Sequence, residues 1–298
     1  MEIENCWKIS KIVQAPGLRK AGENMKITAI MDNKGGGNAS VVHEHGLSFF
    51  VDFGELKLLF DYGPGKNALD NALKLHIPLD KVAYLISSHG HYDHGGGLPY
   101  FLEYGVKAPF ITGLGYFDKK YSVADGKVKD LGLAYDEAYL KEKGIPHLEF
   151  SGVMTLSPSV YLMNCFPRKY AFETIQERFK LKRGDTWIPD PFNDEICMVH
   201  KMQQGLFVIV GCSHPGILNI LDRVREYFHM PIKGVVGGTH LMEADEARVA
   251  KTCDIVKEFG LDYIGFNHCS GSLLQPIMKA KGIRADYLAA GDTVEIPE

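Results

Sequence analysis

The sequence has no apolar run approaching the roughly 18 residues of a membrane-crossing helix, so no membrane partner is expected. Nor is there an excess of positive charge. The 33 Lys and Arg stand against 37 Asp and Glu, a formal net charge of −4, which leaves no basic footprint for nucleic acid. Six cysteines (Cys6, Cys165, Cys197, Cys212, Cys253 and Cys269) are scattered without a Cys-x-x-Cys pair. They read as reduced, mostly buried thiols rather than a disulfide framework. The opening Met1-Glu2-Ile3-Glu4-Asn5-Cys6 carries acid early and lacks the apolar region of a secretory signal, so a cytoplasmic protein is expected. No linker rich in Pro, Gly or Ser divides the chain. With 298 residues and 45% hydrophobic content, it reads as a single domain with a sizeable core over 1–298.

The segment from Leu85 to Leu98 is informative: Leu-Ile-Ser-Ser-His-Gly-His-Tyr-Asp-His-Gly-Gly-Gly-Leu. Four metal-capable side chains, His89, His91, Asp93 and His94, fall within six positions, directly after an apolar run (Val82 to Ile86) that reads as a buried strand. A strand that stops at a tight glycine-containing loop directs alternate side chains into one cleft. His89 and His91 can then grip one ion while Asp93 and His94 lean toward a second. Imidazoles with one carboxylate suit zinc, iron or manganese better than calcium, which prefers oxygen donors. The expected cofactors are two divalent transition-metal ions, zinc first, with iron or manganese as alternatives.

His-x-His-x-Asp-His after a hydrophobic strand, followed by Gly-Gly-Gly-Leu, resembles the motif of the metallo-β-lactamase superfamily. Leu58-Leu59-Phe60-Asp61-Tyr62-Gly63 resembles that superfamily's strand ending in Asp-x-Gly. Glu44-His45-Gly46-Leu47-Ser48, Gly211-Cys212-Ser213-His214-Pro215-Gly216, Gly237-Gly238-Thr239-His240-Leu241 and Asn267-His268-Cys269-Ser270-Gly271 resemble one branch. That branch contains relatives of the dihydropterin-ribofuranosylaminobenzene-phosphate synthase of methanopterin biosynthesis. The resemblance spans about residues 25–297.

Alternation of strand and helix patterns agrees with it. Met25 to Met31, Leu47 to Phe53 and Leu56 to Phe60 read as strands, the last two as a hairpin about Gly54-Glu55. Asn67 to Leu75 reads as a short amphipathic helix, Asp93 to Tyr104 as a helix behind the metal motif, and Pro109 to Thr112 as a strand. Residues 113–147, rich in charged and aromatic side chains such as Tyr116, Phe117, Lys119, Lys120 and Tyr121, read as an insertion over the site. Cys197 to Lys201 and Leu206 to Val210 form a second hairpin. Ile217 to Phe228 and Glu243 to Phe259 read as helices, Val235-Val236 and Tyr263 to Phe266 as strands. Two β-rich halves backed by helices make the expected fold an α/β four-layer αββα sandwich.

Four residues cannot complete two coordination spheres, so later strand ends must contribute. His214, after the strand to Val210, is assigned to the first metal. By order and motif, His268 closes the second. His240 occupies a similar strand end and is expected to contact substrate or move a proton. Many superfamily members carry Gly-His-Thr for the third His and a later Gly-Asp-Thr whose carboxylate bridges the metals. Here Gly211-Cys212-Ser213-His214 stands in the first place, and Gly291-Asp292-Thr293 falls after His268, which makes it a terminal turn. Asp194 and Glu195 are the better candidates for a nearby carboxylate, unless hydroxide alone bridges. His45 is expected at the cleft mouth as a substrate contact, and Arg168 as a fork for phosphate or carboxylate, with Lys169 beside it. Gly35-Gly36-Gly37 lacks a following P-loop Lys-Ser/Thr and reads as a turn. His43, His76, His147, His200 and His229 lack partners at ligand spacing. Asp61 is expected to orient a histidine ligand.

The leading reading is a dinuclear metal-dependent hydrolase acting on a phosphoester, ester or lactone through a metal-bound hydroxide, with Asp93, His240 and Asp194 as catalytic candidates. The alternative, implied by the resemblance, is a transferase joining a pterin diphosphate to a ribofuranosylaminobenzene phosphate with release of diphosphate. A non-catalytic metal-containing sensor ranks below both. A di-iron oxygen or nitric-oxide reductase is disfavoured because His91 stands where that group usually has Glu and no flavin domain follows. The expected partner is a small molecule, phosphorylated or a pterin. Oligomeric state is left open, with a homo-oligomer allowed.

Overall fold

The computed structural model describes residues 21–297, so the opening Met1 to Cys6 segment lies outside the described residues. Two seven-stranded sheets face each other. In spatial order the first contains Thr293–Ile296, Ala21–Met31, Ser48–Gly54, Leu56–Phe60, Tyr84–Ile86, Phe110–Gly113 and His147–Phe150. The second contains Arg284–Tyr287, Tyr263–Phe266, Ile232–Gly237, Gly205–Val210, Cys197–Met202, Val160–Met163 and Val153–Thr155.

Strand alternation explains why the sheets stack. Phe49, Val51 and Phe53 point with Leu58 and Phe60 into a core that also takes Met198, Phe207 and Ile209 from the second sheet. Their neighbours Phe50 and Leu59 point the other way, onto Ala68 and Leu69 of helix Lys66–Lys74 and Phe101 of helix Leu98–Tyr104. On the far side Leu206, Val208 and Val210 meet helices Ile217–Phe228, Glu246–Glu258 and Leu274–Ala280. Because side chains on a strand alternate with period two, one register serves both faces. The result is the expected αββα sandwich.

Three local features differ from the sequence reading. The helix expected over Asp93 to Tyr104 is two helices, Tyr92–Gly95 and Leu98–Tyr104. The break lies at Gly97, whose N–H donates to Gly63 O (2.9 Å), while Asp93 O, its helical acceptor, is taken by Leu47 N–H (3.1 Å). The helix expected from Glu243 starts at Glu246, because Asp245 caps it by accepting Arg248 N–H at 2.8 Å. Finally, residues 113–147 serve three places. Lys120–Ala124 and Lys127–Asp130 form a hairpin, Glu137–Glu142 is a helix, and His147 opens the edge strand of the first sheet. The hairpin joins Phe179–Arg183 and Thr186–Pro189, which the sequence reading left without an element, in a third, four-stranded sheet.

Candidate metal centre

Strands Leu56–Phe60, Tyr84–Ile86 and Phe110–Gly113 run parallel, as do Gly205–Val210, Ile232–Gly237 and Tyr263–Phe266. Their carboxyl ends carry Asp61, His89, Cys212, His214, His240 and His268 to one edge of the sandwich, where open α/β sheets bind ligands. Asp61, Ser213, His240 and His268 all adopt left-handed backbone conformations, with φ of 61°, 63°, 50° and 48°. Non-glycine residues held there cluster at functional sites.

His89, His91 and His214 place their ligand nitrogens within 4.8 Å of one another, and all three residues are buried. Their Nε2 atoms have no hydrogen-bond partner. An unpaired buried polar atom costs about 1–3 kcal/mol, so three converging ones mark a place where a cation would supply the missing partner. Burial above all holds each of these imidazoles well below the ordinary histidine range, so they are neutral and carry lone pairs. Among the described residues, these atoms fit a transition metal.

A second nest adjoins the first. His94 Nε2 lies 3.2 Å from His268 Nε2 and 3.2 Å from Cys212 Sγ. Asp93 Oδ2 is 3.5 Å from His268 Nε2 and 3.1 Å from His45 Nε2. His268 is pushed well below the usual range by burial, with the neighbouring His94 also lowering it. Burial disfavours charge on His94 too, but Asp61 and Asp93 outweigh it and raise this group to about 9. Burial alone would raise the Asp93 carboxyl. His94, His45 and His268 nevertheless hold it well below the carboxylate range.

Groups behind the nests fix the rings. Asp61 Oδ2 is 2.7 Å from His94 Nδ1 and accepts Ser88 Oγ–H at 2.8 Å, while Ser88 Oγ lies 2.9 Å from His89 Nδ1. Asn33 Oδ1 sits 2.8 Å from His268 Nδ1, and Asp32 accepts the His268 N–H at 2.7 Å. Partners of this kind set ligand tautomer and orientation. Gly90, between the first two histidines, runs against the third sheet's connection. A Cβ there would lie 2.0 Å from Tyr116 O.

The other residues singled out by sequence separate into those at the cleft and those elsewhere. His45 is at its mouth, half-exposed, with its ring 4.9 Å from that of His268. His240 lines the cleft 4.3 Å from the His214 ring, and burial pushes it down to about 4. Asp194 is buried with Oδ2 accepting Gly90 N–H (2.8 Å) and Oδ1 on Lys120 Nζ (3.0 Å). Glu195 accepts the N–H groups of Ser213 (2.5 Å) and His214 (3.0 Å), and burial raises its carboxyl to about 8. These two carboxylates brace backbone instead of facing the nests. Arg168 is not brought to the cleft. Its guanidinium donates to Pro191 O (2.6 Å), and Lys169 pairs with Asp222 (3.0 Å). Tyr116 is fully buried, donating to Ser87 Oγ, and Tyr121 packs on Trp187.

The sequence reading passed over several groups that the structure brings to the site. Cys212 and Cys269 are buried at the cleft floor, and Phe192 stacks on His214 with ring centroids 3.9 Å apart. The third sheet supplies Lys129 and Phe179 to the cleft wall, and Arg178 joins them from just before its strand. Arg178 forks onto Glu243 with two 2.7 Å hydrogen bonds. The cavity enclosed measures about 220 Å³.

Residues 42–165 match the family model described as the metallo-beta-lactamase superfamily. The 7,8-dihydropterin-6-methyl-4-(beta-D-ribofuranosyl)-aminobenzene-5'-phosphate synthase of Methanocaldococcus jannaschii is 27% identical over 267 residues, covering 84% of this chain and 88% of the relative. An uncharacterized protein of the same organism is 28% identical over 229 residues, covering 76% of this chain and 84% of its own. Among solved structures, Tm1679, named as a metal-dependent hydrolase of the beta-lactamase superfamily, is 28% identical. It aligns with a TM-score of 0.79, covering 92% of this chain and 100% of the other.

Proposed function

For this chain, which has the metallo-β-lactamase fold and resembles metal-dependent hydrolases of that superfamily, we propose a dinuclear metal-dependent hydrolase of phosphoesters, esters or lactones. One observation carries the reading: three partnerless Nε2 atoms beside a second nest of donors, at the floor of a cleft. His89, His91 and His214 would hold one ion, and Asp93, His94 and His268 the other. When bound, divalent ions of this type acidify a water, polarise an ester or phosphoryl oxygen and stabilise developing negative charge.

The chain's own residues do the rest. His45 donates to Asp93 and fixes its carboxylate at the mouth. His240, held neutral by its desolvated surroundings, could give or take a proton beside His214. Lys129 puts positive charge on the wall, where Arg178 is already paired with Glu243, and favours an anionic substrate, phosphoesters first. Asp194 acts on the loop through Gly90 N–H, as a positioning group. The substrate is a small molecule, and zinc, iron or manganese fit the imidazole and carboxylate donors.

The test is hydrolysis of aryl phosphodiesters and phosphomonoesters by metal-loaded protein. Turnover abolished by His89→Ala is expected. A pterin-handling synthase is the second reading, supported by the 27% identical relative named as such. Tight dihydropterin binding, with diphosphate released only on addition of an arylamine acceptor, would replace the hydrolase with it. Absence of turnover on either class, with both ions bound, would favour a sensor.

A further inference from the structure

We propose that Cys212 gives the metal centre a sulfur donor shared between its two nests. The resulting thiolate site selects a thiophilic divalent ion such as zinc, cobalt or iron(II) over manganese or magnesium. This rests on the two-metal reading above, though on no particular reaction.

Position is the first argument. Cys212 Sγ groups within 4.8 Å with the donors of His89 and His94, and also with those of His268 and Cys269. His89 belongs to the first nest and His268 to the second, so this sulfur sits where the two meet, 3.2 Å from His94 Nε2. The backbone holds it there. A Cβ at Gly211 would stand 2.1 Å from Ser88 Oγ, and the next residue, Ser213, is fixed by Glu195 through its N–H.

Charge is the second argument. Two dications bring four positive charges, and Asp93 is the one carboxylate in the donor groups of the described residues. Asp194 is spent on Lys120 and Gly90, Glu195 on two backbone N–H groups, and Asp292 on Ala289 N–H. A thiolate supplies the missing anion, because a thiol that coordinates a divalent ion loses its proton. Soft sulfur then biases the choice of ion. Cys269 is the weaker candidate. Its sulfur already donates to Cys212 O and accepts His240 N–H.

Full-length protein, stripped and reloaded with two equivalents of cobalt(II), tests this by near-ultraviolet absorption. Wild type and Cys269→Ser should show a sulfur-to-cobalt charge-transfer band, and Cys212→Ser should lack it. Zinc affinity should fall at least tenfold in Cys212→Ser, with manganese affinity unchanged. Should that variant fail to fold, X-ray absorption on zinc-loaded wild type reads the same contact, a sulfur shell at about 2.3 Å. Two bound ions with nitrogen and oxygen shells alone, or a band that survives Cys212→Ser, overturn the sulfur assignment and leave the two-metal reading intact. A single bound ion overturns both.

Discussion

Lys120→Met is the perturbation that probes how the third sheet supports the metal loop. Lys120 is 1% exposed, and its Nζ lies 2.8 Å from Asp190 Oδ2 and 3.0 Å from Asp194 Oδ1. Both carboxylates are buried too, so removing the cation strands two charges away from water. Breaking a buried pair costs about 3–5 kcal/mol, much of it from the uncompensated partner. Asp194 also holds the Gly90 N–H between His89 and His91, so a displaced carboxylate reaches the metal ligands. Losing such support typically weakens metal binding about 10–100-fold. Urea unfolding of metal-free protein and zinc competition against a chelating dye measure the two effects. Adding Asp190→Asn and Asp194→Asn removes the stranded charges while keeping an acceptor for Gly90. The triple variant should therefore regain much of the lost stability. A cost below about 1 kcal/mol for Lys120→Met, or a triple variant no more stable than the single, would refute the reasoning.

Two further predictions follow from buried acids. Glu173 accepts Leu218 and Asn219 N–H at a helix start, yet burial raises it from 4.5 to about 7. A carboxyl raised on folding contributes stability that is full below its unfolded value and lost as pH rises through the folded one. Wild type should therefore lose up to about 3 kcal/mol relative to Glu173→Gln between pH 5 and 8.5, measured by denaturation across pH, and parallel profiles would contradict this. Asp61→Asn, beside His94 Nδ1 at 2.7 Å, should weaken metal binding about 10–100-fold in dye competition, and unchanged affinity would remove Asp61 from the site.

The sequence made some of this legible and hid the rest for physical reasons. His89, His91, Asp93 and His94 were readable because one loop carries all four, and the paired strand ends placed His214 and His268. The fold was readable because alternation in Phe49 to Phe53 and Leu206 to Val210 serves two faces at once. Lys120 was not, because an isolated lysine reads as a surface residue and its partners lie 70 and 74 positions away. Cys212 looked like a core thiol until the loop folded beside His94. Phe179 opens a short strand, Phe179–Arg183, with Arg178 just before it, and the Phe-Lys-Leu-Lys alternation was a usable signal passed over. Arg168 had the right chemistry and the wrong location, since nothing local records that its side chain turns to Pro191 O.

Zinc titration of the stripped protein, with aryl phosphodiester hydrolysis followed at each addition, tests the two-metal hydrolase most directly. Activity should rise until two equivalents are bound per chain and then level off. Two bound ions with no hydrolysis of any ester offered would contradict the account.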